Sequence, residues 1–353
     1  AQFALFRIGL AYISQEEYGQ ALRTMTDLLD KYPKGSLAPE AQEVLNRALL
    51  AEITSLYKQQ RYVSLIALYN DNKKYISDEN WPLVRHYLAL AYAGLEMYKE
   101  SVGLLEANKG LTDFEDERLL TLGRGYYHLG RYQDAADALE QFLTTFPEHE
   151  KAAQALVDLA RAEQALGQED QAIEHLRQAA AKDPTVDKDG RIQGLLGQLY
   201  LKKGDFAAAA EAMRLSLETL GGREEAKADI FVTYASLAQA YVNLGQSEDA
   251  LAALAAAKNF MPGQPFPETL YLMADAYKKL GRTEEYKATL EMILGSPGEF
   301  WPGVAQQELK IMETEERTGR LLGAPAGLKV TEHAAQASSG EYGPPRPGLQ
   351  PVQ

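Results

Sequence analysis

Cysteine is absent from all 353 residues. That excludes disulfide frameworks, thiol catalysis, cysteine-ligated zinc and iron–sulfur clusters, and it suits an exported protein without requiring one. Basic charge is scarce: 36 Lys and Arg stand against 50 Asp and Glu, a net −14. General nucleic-acid binding needs basic surface to neutralise phosphates, so this balance argues for no nucleic-acid partner. No apolar run approaches the roughly 18 residues of a membrane span, so no membrane insertion is expected. No signal peptide is visible, and Ala1 already stands inside a helical pattern. A processed or trimmed piece of a longer protein is therefore one expectation.

Chemistry-bearing motifs are also missing. Gly123-Arg124-Gly125 lacks a third glycine and falls in a helical pattern rather than after a strand. There is no phosphate-binding loop, no His-Glu-x-x-His, no elbow serine and no nucleophile–base spacing. His86, His128, His149, His175 and His333 are scattered, whereas zinc needs clustered ligands. Asp113, Glu115, Asp116 and Glu117 decorate the first turn of a helix, where the dipole favours negative charge. The expectation is no catalytic residue, no cofactor and no metal.

What is present is repetition. At roughly 150 residues per domain the length allows two domains or one elongated array, and a search for self-similarity decides between them. One copy reads Leu122-Gly123-x-x-Tyr126-x-x-Leu129-Gly130-Arg131-Tyr132-x-x-Ala135, then Leu139, Phe142 and Pro147. The skeleton returns around Gly9, Ala89, Ala160, Gly197, Ala238 and Ala274. From 89 onward these small residues are 34, 37, 37, 41 and 36 apart. The 80-residue gap from 9 to 89 leaves room for one degenerate copy at Tyr57, Arg61-Tyr62 and Leu65, with no clear Gly or Ala at its small position.

These residues resemble the tetratricopeptide repeat, a helix–turn–helix unit of about 34 residues in which the small residue is the eighth. The resemblance covers roughly residues 1–297. It implies an all-α fold, a right-handed superhelix of about seven to eight hairpins with a C-terminal capping helix and a flexible tail. The expected segments are 1–38, a degenerate pair at 39–80, 81–115, 116–150, 151–187, 188–226, 227–265 and 266–300. A capping helix at 301–318 and a disordered tail at 319–353 follow. The small eighth residue lets the partner helix cross closely. Tyr12, Tyr92, Tyr126, Tyr200, Tyr241 and Tyr277 should fill the space between adjacent repeats. Leu-Gly pairs at 129–130, 166–167, 244–245 and 280–281 should end first helices, and Pro33, Pro147, Pro184 and Pro262 second ones.

The resemblance also implies that the first helices line a groove through their second, fifth, ninth, twelfth and thirteenth positions. The fifth include Phe6, His86, Leu120, Val157 and Tyr271; the ninth are Leu10, Leu90, Arg124, Arg161, Gln198, Gln239 and Asp275. The twelfth and thirteenth include Tyr127, His128, Gln164, Lys202, Asn243, Lys278 and Lys279. Such a groove is apolar first and polar to basic from Arg124 onward. It suits a protein or peptide partner that is acidic or offers a free C-terminal carboxylate. The family's Lys-Asn-Asn-Lys-Arg clamp for chaperone tails is not matched. The expected function is a non-catalytic interaction scaffold. Alternatives are a bacterial cell-envelope assembly or maintenance factor in the periplasm, or the regulatory array of a larger multidomain protein. The envelope alternative comes from the opening repeat with Tyr32-Pro33 and Ala38-Pro39-Glu40-Ala41, which is similar to periplasmic members. Phe3, Phe6 and Leu10 lack a polar cap, which suggests either a homodimer through the N-terminal end or a missing preceding helix.

Overall fold

A computed structural model describes residues 1–76, 78, 80–108, 111–183, 185, 190–221, 223, 226–261, 263 and 266–321, the side chains of 319–321 excluded. The described residues form seventeen α-helices and no strand. They divide into two compact units, Ala1–Asp183 and Pro184–Gln353.

The first unit holds five hairpins: α1 (Gln2–Ser14) with α2 (Tyr18–Lys31), α3 (Ala38–Lys58) with α4 (Tyr62–Asn72), α5 (Trp81–Gly94) with α6 (Tyr98–Glu106), α7 (Glu115–His128) with α8 (Tyr132–Thr145), and α9 (Ala152–Leu166) with α10 (Glu169–Lys182). The second holds three: α11 (Gly190–Lys203) with α12 (Phe206–Leu220), α13 (Lys227–Asn243) with α14 (Ser247–Ala257), and α15 (Pro267–Lys279) with α16 (Thr283–Leu294), followed by α17 (Phe300–Leu321). Within each unit every first helix touches the next first helix, and every second helix packs against the first helix that follows it. The first helices therefore make one continuous layer per unit.

One backbone device closes all eight hairpins. The N–H of Arg131 donates to the Tyr126 carbonyl at 2.9 Å while Gly130 sits at φ +73°. This is the left-handed helix ending that favours glycine. The same bond joins Glu17 to Tyr12, Arg61 to Leu56, Met97 to Tyr92, Gln168 to Glu163, Asp205 to Tyr200, Gln246 to Tyr241 and Arg282 to Tyr277. Glycine occupies the left-handed position in the last five hairpins, but Glu16, Gln60 and Glu96 hold it in the first three, at φ 57° to 59°. The turn survives there at a cost of roughly 1–2 kcal/mol per side chain, the penalty a Cβ meets in that conformation.

The small eighth residue is a steric requirement. A Cβ on Gly123 would lie 2.6 Å from Leu139 Cγ, and one on Gly197 would lie 2.6 Å from Met213 Cγ. Ala89, Ala160, Ala238 and Ala274 are fully buried at the same point. The closure bond at Leu56 identifies the occupant in the degenerate hairpin as Ile53, which is also fully buried. Opposite it stands Leu65, where later hairpins carry Ala135, Ala172, Ala209 or Ala250. Two branched, fully buried side chains therefore hold the notch positions of this hairpin.

Pro33 and Pro147 each lie two residues beyond the end of their helix, α2 and α8; Pro184 and Pro262 lie outside the described residues. α17 lays the buried Ala305, with Trp301, Leu309 and Met312, against Leu290 and Ile293 of α16. It begins one residue before the expected cap and runs three residues past it. The expected tail, from 322 on, is outside the described residues. Replacing Ile53 with Ala brings the second hairpin nearer the repeat pattern, yet α3 and α4 are already spaced for the larger side chain. Ile53→Ala should cost roughly 2–5 kcal/mol through the cavity it leaves, and Gly123→Leu roughly 1–3 kcal/mol through overpacking. Urea unfolding followed by circular dichroism checks both; a stabilised Ile53→Ala would refute the spacing argument.

Candidate functional site

The first-helix layer of the first unit carries the densest group of expected residues. Arg124 on α7 and Arg161 on α9 converge on one carboxylate. Arg124 Nε donates to Asp158 Oδ2 at 2.8 Å, and Arg161 Nη1 lies 3.6 Å from Asp158 Oδ1, which also accepts from Gln154 Nε2 at 3.0 Å. The Asp158 side chain is 12% exposed, against 50% and 40% for the arginines. Two guanidinium groups thus share one acid, and the 3.6 Å contact leaves Arg161 donors for something else.

Aromatic rings from both first and second helices of this unit pack nearby. Tyr98 and His128 stack with centroids 4.2 Å apart and planes 5° apart. Tyr127 meets His128 edge-on at 5.6 Å and Tyr132 at 5.6 Å. One hairpin earlier, Tyr57 packs 5.4 Å from Tyr87 and 6.2 Å from Tyr62. Burial pushes the Tyr57 hydroxyl up to about 12 and raises that of Tyr127, so both remain neutral donors. Gln164 lies half-buried on α9.

Some expected groove residues lie elsewhere. His86 is 1% exposed, and its Nε2 pairs with Glu117 Oε2 at 3.1 Å. Leu120 and Val157, also fifth-position residues, are 5% and 1% exposed, as is the ninth-position Leu90 at 6%. His86 thus faces Glu117 of the next first helix and Leu120 and Val157 are buried, whereas the fifth-position Phe6 and Tyr271 are half-buried. In the second unit, Lys278 is drawn onto α17: its Nζ lies 2.8 Å from Glu308 Oε2 and 5.4 Å from the Tyr286 ring centre. Lys279 Nζ donates to the Val242 carbonyl at 2.9 Å. Asn243 Nδ2 donates to the Gln239 carbonyl of its own helix at 2.7 Å. Gln198 and Gln239 are half-buried and Lys202 is exposed. The expected basic groove is therefore largely neutralised at its charged positions.

Between repeats the tyrosines act as expected at their best example. Tyr126 is buried and donates to Glu106 Oε1 at 2.9 Å across the repeat boundary, with Arg131 4.3 Å over its ring. Burial, then that hydrogen bond, pushes Tyr126 up to about 12. In the fifth hairpin the corresponding residue is Glu163, 1% exposed, which binds His175 Nδ1 at 2.8 Å. Sequence reasoning passed over Asp158, Tyr98 and this Glu163–His175 pair. The 34-residue spacing of Arg124 and Asp158 was a usable signal; the pairing of Glu163 with His175 had none, because the two lie on different helices.

Profiles of the tetratricopeptide repeat match residues 115–185, 157–223, 232–256, and both 3–35 and 268–296. The chain belongs to the tetratricopeptide repeat family. Its architecture is that family's all-α array of helical hairpins. Among solved structures, this tetratricopeptide chain is similar to the C-terminal part of a repeat-containing protein from Cytophaga hutchinsonii. That match has a TM-score of 0.53 and 16% identity, over 72% of this chain and 98% of that one. It is similar to the APC/C hetero-tetramer Cut9–Hcn1 (TM-score 0.52, 15% identity, 82% of this chain), spanning about half, 52%, of that chain's length. It also resembles PilW, a type IV pilus biogenesis factor (TM-score 0.51, 17% identity, 63% and 97%). These likenesses concern the fold. No curated protein matches the sequence. Among the described residues no group of His, Asp or Glu could hold a metal ion, and no helix is long and apolar enough to cross a membrane.

The hydrogen bond with Glu163 holds the His175 pKa above its ordinary value of 6.5, against the opposing effect of burial, with Glu140 and Glu174 adding to the rise. A raised folded value means that this pair stabilises most below the unfolded histidine value and loses its contribution as pH climbs through the folded one. Thermal stability of the chain should therefore decline as pH rises above the ordinary histidine value, and Glu163→Gln should flatten that decline. An unchanged slope in the variant would show that the pair is not its source.

Proposed function

We propose that this chain is a non-catalytic scaffold that holds an extended partner segment against the first-helix layer. The observation that carries the reading is the shared Asp158: two arginines and one acid, flanked by half-exposed tyrosines and His128, form a polar face with unspent donors. Its fold supports the same reading, since tetratricopeptide arrays typically act as scaffolds. A carboxylate of the partner, from an acidic side chain or a C-terminus, would complete the charge balance at Arg161. Charge reversal at a groove arginine leaves the incoming acid opposed rather than paired. Arg161→Glu should weaken binding of a fluorescein-labelled glutamate-rich peptide with a free carboxylate by tenfold or more in anisotropy titrations. Unchanged affinity removes the groove from the proposal.

The narrower reading, a role in the bacterial cell envelope, draws on the fold likeness to PilW, a type IV pilus biogenesis factor. Fractionation of native cells would place the chain; exclusive recovery with the cytoplasm refutes it. A regulatory array within a larger multidomain protein is the remaining form of the scaffold reading.

Self-association through α1 is a separate part of the proposal. Ile8 is 47% exposed, whereas its counterparts Leu88, Leu122, Leu159 and Leu237 are at most 4% exposed beneath a preceding helix. Phe3 and Leu10, exposed by 63% and 41%, lie on another face of the same helix. Light scattering should show a dimer that Ile8→Asp converts to monomer; a monomeric parent chain refutes this expectation.

A further inference from the structure

We infer that the second unit binds an arginine side chain of a partner protein, in an open depression between α12 and the turn from α13 to α14. This site belongs to a different surface from the first-helix face of the first unit.

The hairpin closure places one residue of every turn at the same point. Its N–H binds the carbonyl of the residue five before it. In two hairpins that residue is an arginine closing onto a tyrosine, and its guanidinium folds back over the tyrosine ring. Arg131 lies 4.3 Å over Tyr126, and Arg282 lies 4.8 Å over Tyr277. Each also takes the acid three residues further on. Arg131 Nε donates to Asp134 Oδ2 at 2.6 Å, and Arg282 Nε donates to Glu285 Oε1 at 2.9 Å. The seventh hairpin has the tyrosine and the acid without the arginine. Gln246 closes onto the Tyr241 carbonyl at 2.9 Å, and Asp249 stands three residues on. A glutamine brings no charge to the ring or to the acid. Among the described residues, none forms a side-chain hydrogen bond or ion pair with Asp249, or a side-chain hydrogen bond or ring contact with Tyr241.

A depression of about 470 Å³ lies at this point, with Tyr241, Gln246 and Asp249 on one wall and α12 on the other. Ala207 and Ala210 of α12 are too small to fill it. Together with Leu244, 40% exposed, they offer an apolar bed for the methylene stem of an arginine. A planar guanidinium stacks on a ring and binds a carboxylate at once, whereas a lysine ammonium is a compact point charge. The depression has one cation of its own, Arg214, but Glu211 pairs with it at 3.1 Å and leaves Asp249 in excess. Small free ligands favour clefts that enclose them, and this depression is open. An arginine carried by a partner's chain brings further contacts with it, and a net charge of −14 draws basic segments in.

The test uses two fluorescein-labelled peptides on the full chain, Gly-Ser-Arg-Ser-Gly-Arg-Ser-Gly and the same peptide with lysine for arginine, in anisotropy titrations at low ionic strength. The parent should bind the arginine peptide more tightly by roughly fivefold or more. Gln246→Arg rebuilds the arrangement of Arg131 and Arg282, so the chain's own arginine should take the depression and bring the ratio of the two affinities close to one. Asp249→Asn should lower the same ratio. The ratio is decisive because a change of surface charge shifts both cationic peptides together. Circular dichroism confirms that both variants are folded. Equal affinity of the parent for the two peptides overturns the inference, as does a Gln246→Arg chain that keeps the parent's ratio. Failure to bind either peptide overturns it as well. Each of these outcomes leaves the groove reading of the first unit standing.

Discussion

The structure depends on how closely two helices can approach at one point of each hairpin. At Gly123 a single added carbon would collide with Leu139, and at Gly197 with Met213. Because the notch sets the distance between first and second helix, it also sets where the next first helix can lie. The continuous layer of first helices, and with it the aromatic and charged face of the first unit, follows from that spacing. The second hairpin shows the alternative solution. Ile53 and Leu65 hold the notch positions with larger side chains, and the closure at Leu56 is nevertheless kept.

Charge in this chain is mostly spent on its own architecture. Glu106 links Tyr126 and Arg131 across a repeat boundary, Glu308 links Lys278 and Tyr286 to the final helix, and Glu117 meets a buried His86. A net charge of −14 does not translate into an acidic face everywhere. Asp158 with its two arginines is a local exception, and it lies beside the rings that make the first unit a candidate for binding.

The repeat was readable because it is a packing constraint expressed as residue size. Small residues, tyrosines three positions later and Leu-Gly endings recur with a period, and periods survive without coordinates. The second hairpin escaped clear reading for the same reason: it meets the constraint with Ile53 and marks its turn with Gln60 in place of glycine. Groove positions were harder. His86, Leu120 and Val157 occupy inward-facing numbers in the repeat but are buried.

Sequence alone determined that this is an all-α array of helical hairpins, since local turns and steric notches leave periodic traces. Tertiary structure decided which side chains remain open and which are neutralised. Asp158 between two arginines, Tyr98 against His128 and Glu163 against His175 are meetings between different helices. Exposure and charge balance are properties of neighbours brought together by packing, and no single helix carries them in its own sequence.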